Sequence, residues 1–156
     1  MKIIKGDIIT LAEEGNFDII VQGCNCFHTQ ASGLAGQLVK KYPQVLEVDR
    51  ATPYGDPDKL GTFSIAETEK FSIMNIYTQF HFGLNEDLFE YDAFQTFLNN
   101  WCTVLQQVKT KNKPRIGFPM IGCGLAGGNP EVIMKMIEDF AEKVKNHAIV
   151  MLVQLS

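Results

Sequence analysis

The sequence lacks the long apolar run that a membrane-spanning helix needs. No segment of the 156 residues approaches the roughly 20 consecutive apolar residues of a membrane span. The opening residues, MKIIKGDIIT, also lack the uninterrupted apolar core of a signal peptide, because Lys5, Gly6 and Asp7 interrupt it. We therefore expect no membrane partner and a cytoplasmic protein. In that compartment the four cysteines are expected to be free thiols.

Positive charge is also scarce. The chain has 14 Lys+Arg against 18 Asp+Glu, which gives a formal net charge of −4. Its only arginines, Arg50 and Arg115, lie far apart in the sequence. No overall field attracts nucleic acid, so we expect no direct sequence-specific nucleic-acid binding. A phosphate-bearing ligand would have to be held mainly by backbone N–H groups.

Linkers, internal repeats and low-complexity segments are absent as well, so the length predicts a single domain over residues 1–156. Short apolar segments predict strands at 2–4 and 17–22, a hairpin formed by TFSIAET and FSIMNIYTQ, and strands at RIGFPMI and AIVMLVQL. Helical spacing predicts helices at 34–42 and 92–109, and a third that Asn129 caps and Pro130 begins. This alternation of strands and helices, with one hairpin, predicts a three-layer α/β/α sandwich around a mixed sheet.

The segment IGCGLAGGNP carries Gly122, Gly124 and Gly127 at the G-x-G-x-x-G spacing of dinucleotide-binding proteins. Such proteins place an Asp or Glu at the end of the next strand, about 20 residues on. The next strand here ends near Gln154 with no acid close by, and Pro130 delays the helix. A simpler interpretation is an anion cradle, in which loop N–H groups and a helix N-terminus face the ligand.

A second segment, VQGCNCFHTQASGLAGQL, repeats the order of strand, small-residue loop and helix. Two such loops at the carboxyl ends of strands can face each other across a cleft and grip a diphosphate. Alternatively, the glycines only make tight turns.

The order and spacing of KGDII, CN with SGLAGQL, DKLGTFS and IGCGLAGG resemble those of the macro domain, an ADP-ribose-binding module. The resemblance covers nearly the whole chain. It is greatest to the branch that contains ADP-ribose 1″-phosphate phosphatases and terminal ADP-ribose hydrolases. It implies the macro domain's three-layer sandwich with a central mixed sheet.

The resemblance also implies ligand contacts. The carboxylate of Asp7 would accept a hydrogen bond from the adenine amino group, the N–H of Ile8 would reach the ring, and Asn25 would contact the distal ribose. Alternatively, Asp7 is only a turn residue and Asn25 only caps its loop. The other implied ligand-binding residues lie in two loops, which we number in chain order. The first loop, in VQGCNCFHTQASGLAGQL, contributes Gly23, Ser32, Gly33, Leu34 and Ala35. The second loop, in IGCGLAGGNP, contributes Ile121, Gly122, Cys123, Gly124, Leu125 and Ala126.

Catalysis is where the chain departs from this family's pattern. The terminal ADP-ribose hydrolases use a lysine and an aspartate, whose places are taken here by Gln79 and Ala126. We therefore predict His28, assisted by Asn25, as the acid or base, because an imidazole titrates near neutral pH. The expected function is binding of ADP-ribose and hydrolysis of its distal substituent, as an ADP-ribose 1″-phosphate phosphatase or an ADP-ribosyl ester hydrolase. The alternative is a non-catalytic binding module. The expected partners are ADP-ribose, ADP-ribose 1″-phosphate and ADP-ribosylated macromolecules, with no cofactor.

Two further patterns involve cysteine. Cys24, Cys26 and His28 form C-x-C-x-H, but a fourth ligand for zinc is missing from the local sequence, so we predict no metal. Cys123 is a less favoured candidate for a catalytic thiolate, because no histidine is assignable as its base.

Overall fold

The computed structural model describes residues 1–82, 88–109, 111–124 and 126–155. In this part of the chain, six strands form one sheet, in the spatial order β1-β6-β5-β2-β4-β3. The strands are β1 (Lys2–Lys5), β2 (Ile19–Cys24), β3 (Phe63–Glu67), β4 (Ser72–Tyr77), β5 (Arg115–Phe118) and β6 (Ile149–Gln154).

The sheet is mixed. Strands β1, β6, β5, β2 and β4 are parallel to their neighbours, and β3 alone runs antiparallel, on the outer side of β4. The pairing of Phe63 with Ile76 and of Glu67 with Ser72 confirms the predicted hairpin. Strand β6 lies between β1 and β5, which agrees with its almost wholly apolar sequence.

Within the described residues, five α-helices pack against the sheet: α1 (Ile8–Glu13), α2 (Gly33–Lys41), α3 (Gln44–Arg50), α4 (Tyr91–Gln107) and α5 (Pro130–Val144). Helices α2, α4 and α5 correspond to the three predicted ones. Helix α1 was not predicted because six residues are too few to show a period. Helix α3 was not predicted because Pro43 was interpreted as the end of a helix, whereas its αR backbone serves as the N-cap of the next. None of the described helices has the length and hydropathy of a membrane span.

Two apolar cores fill the space on either side of the sheet, which confirms the three-layer prediction. On one face, helices α1, α2 and α3 pack on Ile20 and Ile73. On the other face, helices α4 and α5 pack on Val21 and Met74. Adjacent residues such as Ile20 and Val21 point to opposite faces, so β2 is buried on both sides. The second core is rich in aromatic rings, and Trp101 stacks on Phe140 with centroids 5.5 Å apart.

The parallel strands direct their carboxyl ends to one edge of the sheet. The loops that follow β1, β2, β4 and β5 therefore meet at this edge, and a helix begins soon after each of them. This is where α/β proteins place their ligand sites.

The start of α5 offers a test of the capping interpretation. The Asn129 side chain accepts hydrogen bonds from the backbone N–H groups of Glu131, at 3.0 Å, and Val132, at 3.4 Å. We expect Asn129→Ala to lower the free energy of unfolding by about 1 kcal/mol in urea titrations. The control is Asn100→Ala at an exposed position within α4, where alanine should cost nothing because it favours the helix. Equal losses in both variants would contradict the assignment of this cap.

Candidate functional site

A cleft of about 1010 Å³ opens at the carboxyl edge of the sheet. Every described residue that was predicted to bind the ligand lines it. These are Asp7, Ile8, Gly23, Asn25, Ser32, Gly33, Leu34, Ala35, Ile121, Gly122, Cys123, Gly124 and Ala126. Leu125, the remaining predicted residue, lies outside the described residues. The chain thus brings into one cavity residues that are more than a hundred positions apart.

At one end of the cleft, Asp7 begins helix α1. Its Oδ1 accepts a hydrogen bond from the backbone N–H of Thr10 at 3.0 Å, so the side chain serves as an N-cap. The residue is exposed, and a carboxylate has a second oxygen that can accept from a ligand. Capping and ligand binding are therefore compatible at this position. Ile8, which follows, is buried beneath the cleft wall.

The first loop is held in shape by Asn25. The buried Asn25 side chain accepts from the N–H of Phe27 at 2.8 Å and donates to the carbonyl of Thr29 at 2.9 Å. This is the loop-capping role considered as the alternative, although Asn25 also lines the cleft. The loop ends at Gly33, whose φ of +59° favours glycine. The N–H groups of the first turn of α2 then lie at the cleft wall without helical partners.

The second loop is folded by two of its glycines. Gly122 and Gly127 have φ values of +70° and +71°, and the N–H of Gly128 donates to the carbonyl of Gly122 at 2.7 Å. A Cβ at Gly122 would overlap the Phe89 ring, whereas a Cβ at Gly124 would meet open space. Two of the fingerprint glycines are therefore turn residues. Gly124 lies at the cleft wall, where a ligand can approach the backbone closely.

His28 does not line the cleft. Its Nε2 lies 2.9 Å from the carbonyl oxygen of Thr52, and its ring packs edge-on against Tyr54 with centroids 5.4 Å apart. The backbone there has a φ of +56°, which is uncommon outside glycine. The position of His28 thus gives no support to the prediction that it exchanges protons with a ligand in the cleft.

The cysteines are poorly placed for the chemistry considered above. Cys24 and Cys26 are buried, and burial raises the pKa of both thiols. Neither takes part with His28 in a group of three metal-ligating side chains, and the described residues contain no such group. Burial also raises the pKa of Cys123, whose Sγ lies 3.5 Å from the carbonyl oxygen of Ile121. These pKa shifts disfavour a thiolate at each position.

Behind the first loop lies a polar network that the sequence pattern did not reveal. Gln22 donates through Nε2 to Gln30 at 2.9 Å and to Asn75 at 2.8 Å. Gln30 in turn donates to the fully buried carboxylate of Asp49 at 2.8 Å, and the hydroxyl of Tyr77 donates to the same carboxylate at 2.7 Å. The amide side chains of Gln22 and Asn75, on otherwise apolar strands, were the sequence signal for this network, because buried polar side chains need hydrogen-bond partners.

The end of the cleft farthest from Asp7 lies beyond strands β2 and β4. Gln79 lines it and donates to the carbonyl of His81 at 2.9 Å, and the buried Ala126 lines it from the second loop. Among the described residues that line the cleft, only Asp7 and Cys123 carry titratable side chains. The geometry therefore provides amide groups and backbone N–H groups, which bind and orient a ligand.

A curated relative establishes the family. The chain is 41% identical over 152 residues to the uncharacterized 17.5 kDa protein of the tk-vs intergenic region of Enterobacteria phage T4. The match covers 93% of this chain and 92% of the phage protein. The chain belongs to the family of this phage T4 protein. No protein-family model matches it.

Solved structures give the fold of this family member. The macrodomain of Mycobacterium tuberculosis DarG aligns with a TM-score of 0.72 at 15% identity, over 97% of this chain and 96% of that one. Thermosipho africanus DarTG in complex with ADP-ribose aligns with a TM-score of 0.73 at 14% identity, over 100% of this chain and 42% of that one. The fold of the family member is therefore that of a macrodomain.

The two glycines of the second loop provide a matched test of how the cleft is built. We expect Gly122→Ala to lower the free energy of unfolding by more than about 2 kcal/mol, because it combines a disfavoured backbone with overlap at Phe89. Gly124→Ala, two residues away, should leave stability almost unchanged. Chemical denaturation of both variants measures the difference. Similar stability of the two would show that Gly122 is not constrained as described.

Proposed function

We propose that the cleft binds ADP-ribose or a derivative of it, and that it acts as a binding module. The observation that carries the proposal is the convergence, in one cleft, of Asp7, the N–H groups at the start of α2 and the second glycine loop. One of the solved neighbours described above is the macrodomain of DarG, and the other is DarTG in complex with ADP-ribose. This likeness supports the same ligand class here.

Adenine occupies the end of the cleft at Asp7. The carboxylate accepts from the exocyclic amino group of adenine, and the N–H of Ile8 donates to the ring. A carboxylate beside an amine discriminates against guanine, which presents a carbonyl oxygen at that position. The affinity for the base therefore depends on the carboxylate of Asp7.

The diphosphate lies between the two loops and is held by backbone groups. The N–H groups of Gly33, Leu34 and Ala35 at the start of α2 face it from one side, and those of Gly122 to Gly124 from the other. Neither arginine of the chain lines the cleft. Arg115 instead pairs with Asp18 at 3.1 Å, at the start of β5 and thus at the opposite edge of the sheet.

The distal ribose lies beside Asn25, toward Gln79. Four interstrand steps separate β1, which precedes Asp7, from β4, which precedes Gln79. At about 4.8 Å a step this is a distance of about 19 Å. The cleft is therefore long enough for a ligand with an adenosine at one end and a second ribose at the other.

The distal end favours binding over turnover. By the resemblance described above, Gln79 and Ala126 take the places of the lysine and the aspartate of the terminal ADP-ribose hydrolases. His28 contacts the carbonyl oxygen of Thr52 instead of lining the cleft. General acid–base catalysis needs a titratable group within hydrogen-bond reach of the reacting atoms. Apart from Asp7 at the opposite end, the described residues that line the cleft offer only Cys123, and burial raises its pKa. Of the functions expected from the sequence, the non-catalytic module has the better support.

The role of Asp7 is tested by Asp7→Ser, because serine retains an oxygen that caps α1 but removes the carboxylate from the base. We expect ADP-ribose to bind the variant roughly tenfold to a hundredfold more weakly in calorimetry, as for the loss of a charge-assisted hydrogen bond. Guanosine diphosphate ribose should bind weakly to both proteins. An unchanged unfolding temperature would show that the cap survives, and an unchanged affinity would remove Asp7 from the adenine site.

Turnover is tested by following ADP-ribose 1″-phosphate with the purified protein by phosphorus NMR. We expect the diphosphate signals to shift or broaden on binding, with no growth of free phosphate. Growth of free phosphate would overturn the non-catalytic proposal. Its loss in Asn25→Ala or in His28→Ala would then show which of the two predicted residues takes part. Signals that stay unchanged would contradict the binding proposal itself.

A further inference from the structure

Five aromatic rings gather where the distal end of the cleft meets the surface. Around the ring of Phe27 lie those of Tyr54, Phe80, His81 and Phe82, with centroid distances of 5.4, 4.9, 4.8 and 6.2 Å. The His81 ring stacks on Phe27 at an interplanar angle of 5°, and the other three meet it edge-on. We call these five residues the aromatic platform.

The aromatic platform is exposed but firmly built. Tyr54 is 69% exposed and Phe82 is 53% exposed, which is a large apolar area to leave in water. Backbone hydrogen bonds support it. The N–H of Cys26 donates to the carbonyl of Phe80 at 3.0 Å, and the carbonyl of Cys26 accepts from the N–H of Gly55 at 2.7 Å. A fixed and exposed set of rings is typical of a binding surface.

The platform continues the cleft. Phe82 belongs to both, and Phe27 follows Asn25 by two residues in the first loop. Three of the platform's residues, Phe80, His81 and Phe82, follow β4, which is four interstrand steps from β1 and thus far from the proposed adenine site at Asp7. A group attached to the distal ribose of a bound ADP-ribose would therefore leave the cleft across these rings.

The charged residues next to Tyr54 indicate the charge of a partner that would fit the aromatic platform. Asp56 caps the short 3₁₀ helix Pro57–Lys59 that follows Tyr54, and Asp58 lies within this helix and is exposed. Lys59 is the one basic residue of the segment 51–59, and its ammonium points inward. It is buried, donates to the carbonyl of Cys26 at 3.3 Å and lies 4.6 Å from the centre of the Tyr77 ring. The outward charge of this segment therefore repels phosphate and attracts a cation.

Aromatic faces bind cations, and the planar guanidinium of arginine stacks on them well. We propose that the aromatic platform binds the polypeptide part of an ADP-ribosylated protein, with an arginine side chain against Tyr54 and close to Asp58. The proposal rests on the binding of ADP-ribose by the cleft. It extends that function by assigning a surface outside the cleft that contacts a residue beside the modified one.

The test uses two synthetic peptides that carry ADP-ribose on the same serine. They differ in one neighbouring residue, which is arginine in the first and glutamine in the second. By calorimetry we expect the arginine peptide to bind about tenfold more tightly than the glutamine peptide and free ADP-ribose, as for one or two cation–π contacts with a nearby carboxylate. Tyr54→Ala and Asp58→Asn should each remove most of this difference. Both should bind free ADP-ribose as the parent does, because neither residue lines the cleft.

The control variant is Val104→Ala, which shortens an exposed apolar side chain on α4 and should change none of these affinities. Equal binding of the two peptides by the parent would overturn the proposal. So would a preference, dependent on Tyr54, for an oligonucleotide that carries ADP-ribose on its terminal phosphate. If the parent fails to bind free ADP-ribose, the proposed function itself is wrong. Because free ADP-ribose is titrated separately, the two failures are distinguishable.

Discussion

The buried carboxylate of Asp49 joins the parts of the molecule on which the cleft depends. It belongs to α3 and receives hydrogen bonds from Tyr77 at the end of β4 and from Gln30 in the first loop. Gln30 is tied in turn to Gln22 of β2. A buried charge is costly unless hydrogen bonds satisfy it, so these contacts are strongly favoured over alternatives that would leave it unpaired. The first loop is thus held to the ends of two strands before any ligand arrives.

Much of the architecture could be predicted from the sequence because the signals were local. The hairpin followed from two apolar segments separated by Glu69 and Lys70, and the start of α5 followed from Asn129 and Pro130. Helices α1 and α3 escaped prediction, since one is too short to show a period and the other begins at a proline. The residues of the cleft were predicted from the resemblance to the macro domain, whose motifs follow the ends of strands.

What could not be predicted depends on side-chain direction. His28 belongs to the first loop, but its backbone has a φ of +56° and its Nε2 contacts the carbonyl oxygen of Thr52, so its ring does not line the cleft. The polar network joins residues that are as many as 53 positions apart, a distance that no local pattern reports. Backbone N–H groups carry much of the proposed diphosphate site. A site of that kind constrains the shape of a loop more than the identity of its side chains, which fits a shared fold at 15% identity.

The packing of Phe89 under the second loop has a mechanical consequence. The ring lies against Gly122, and the N–H of Phe89 donates to the carbonyl of Ala126 at 3.2 Å. The next residue, Glu90, donates to the carbonyl of Thr78 at the end of β4 and immediately precedes α4. The second loop, the start of a long helix and the distal strand end are therefore braced together. The second loop therefore cannot move as a unit without breaking contacts at the amino end of α4, on the face of the sheet opposite the first loop's helix.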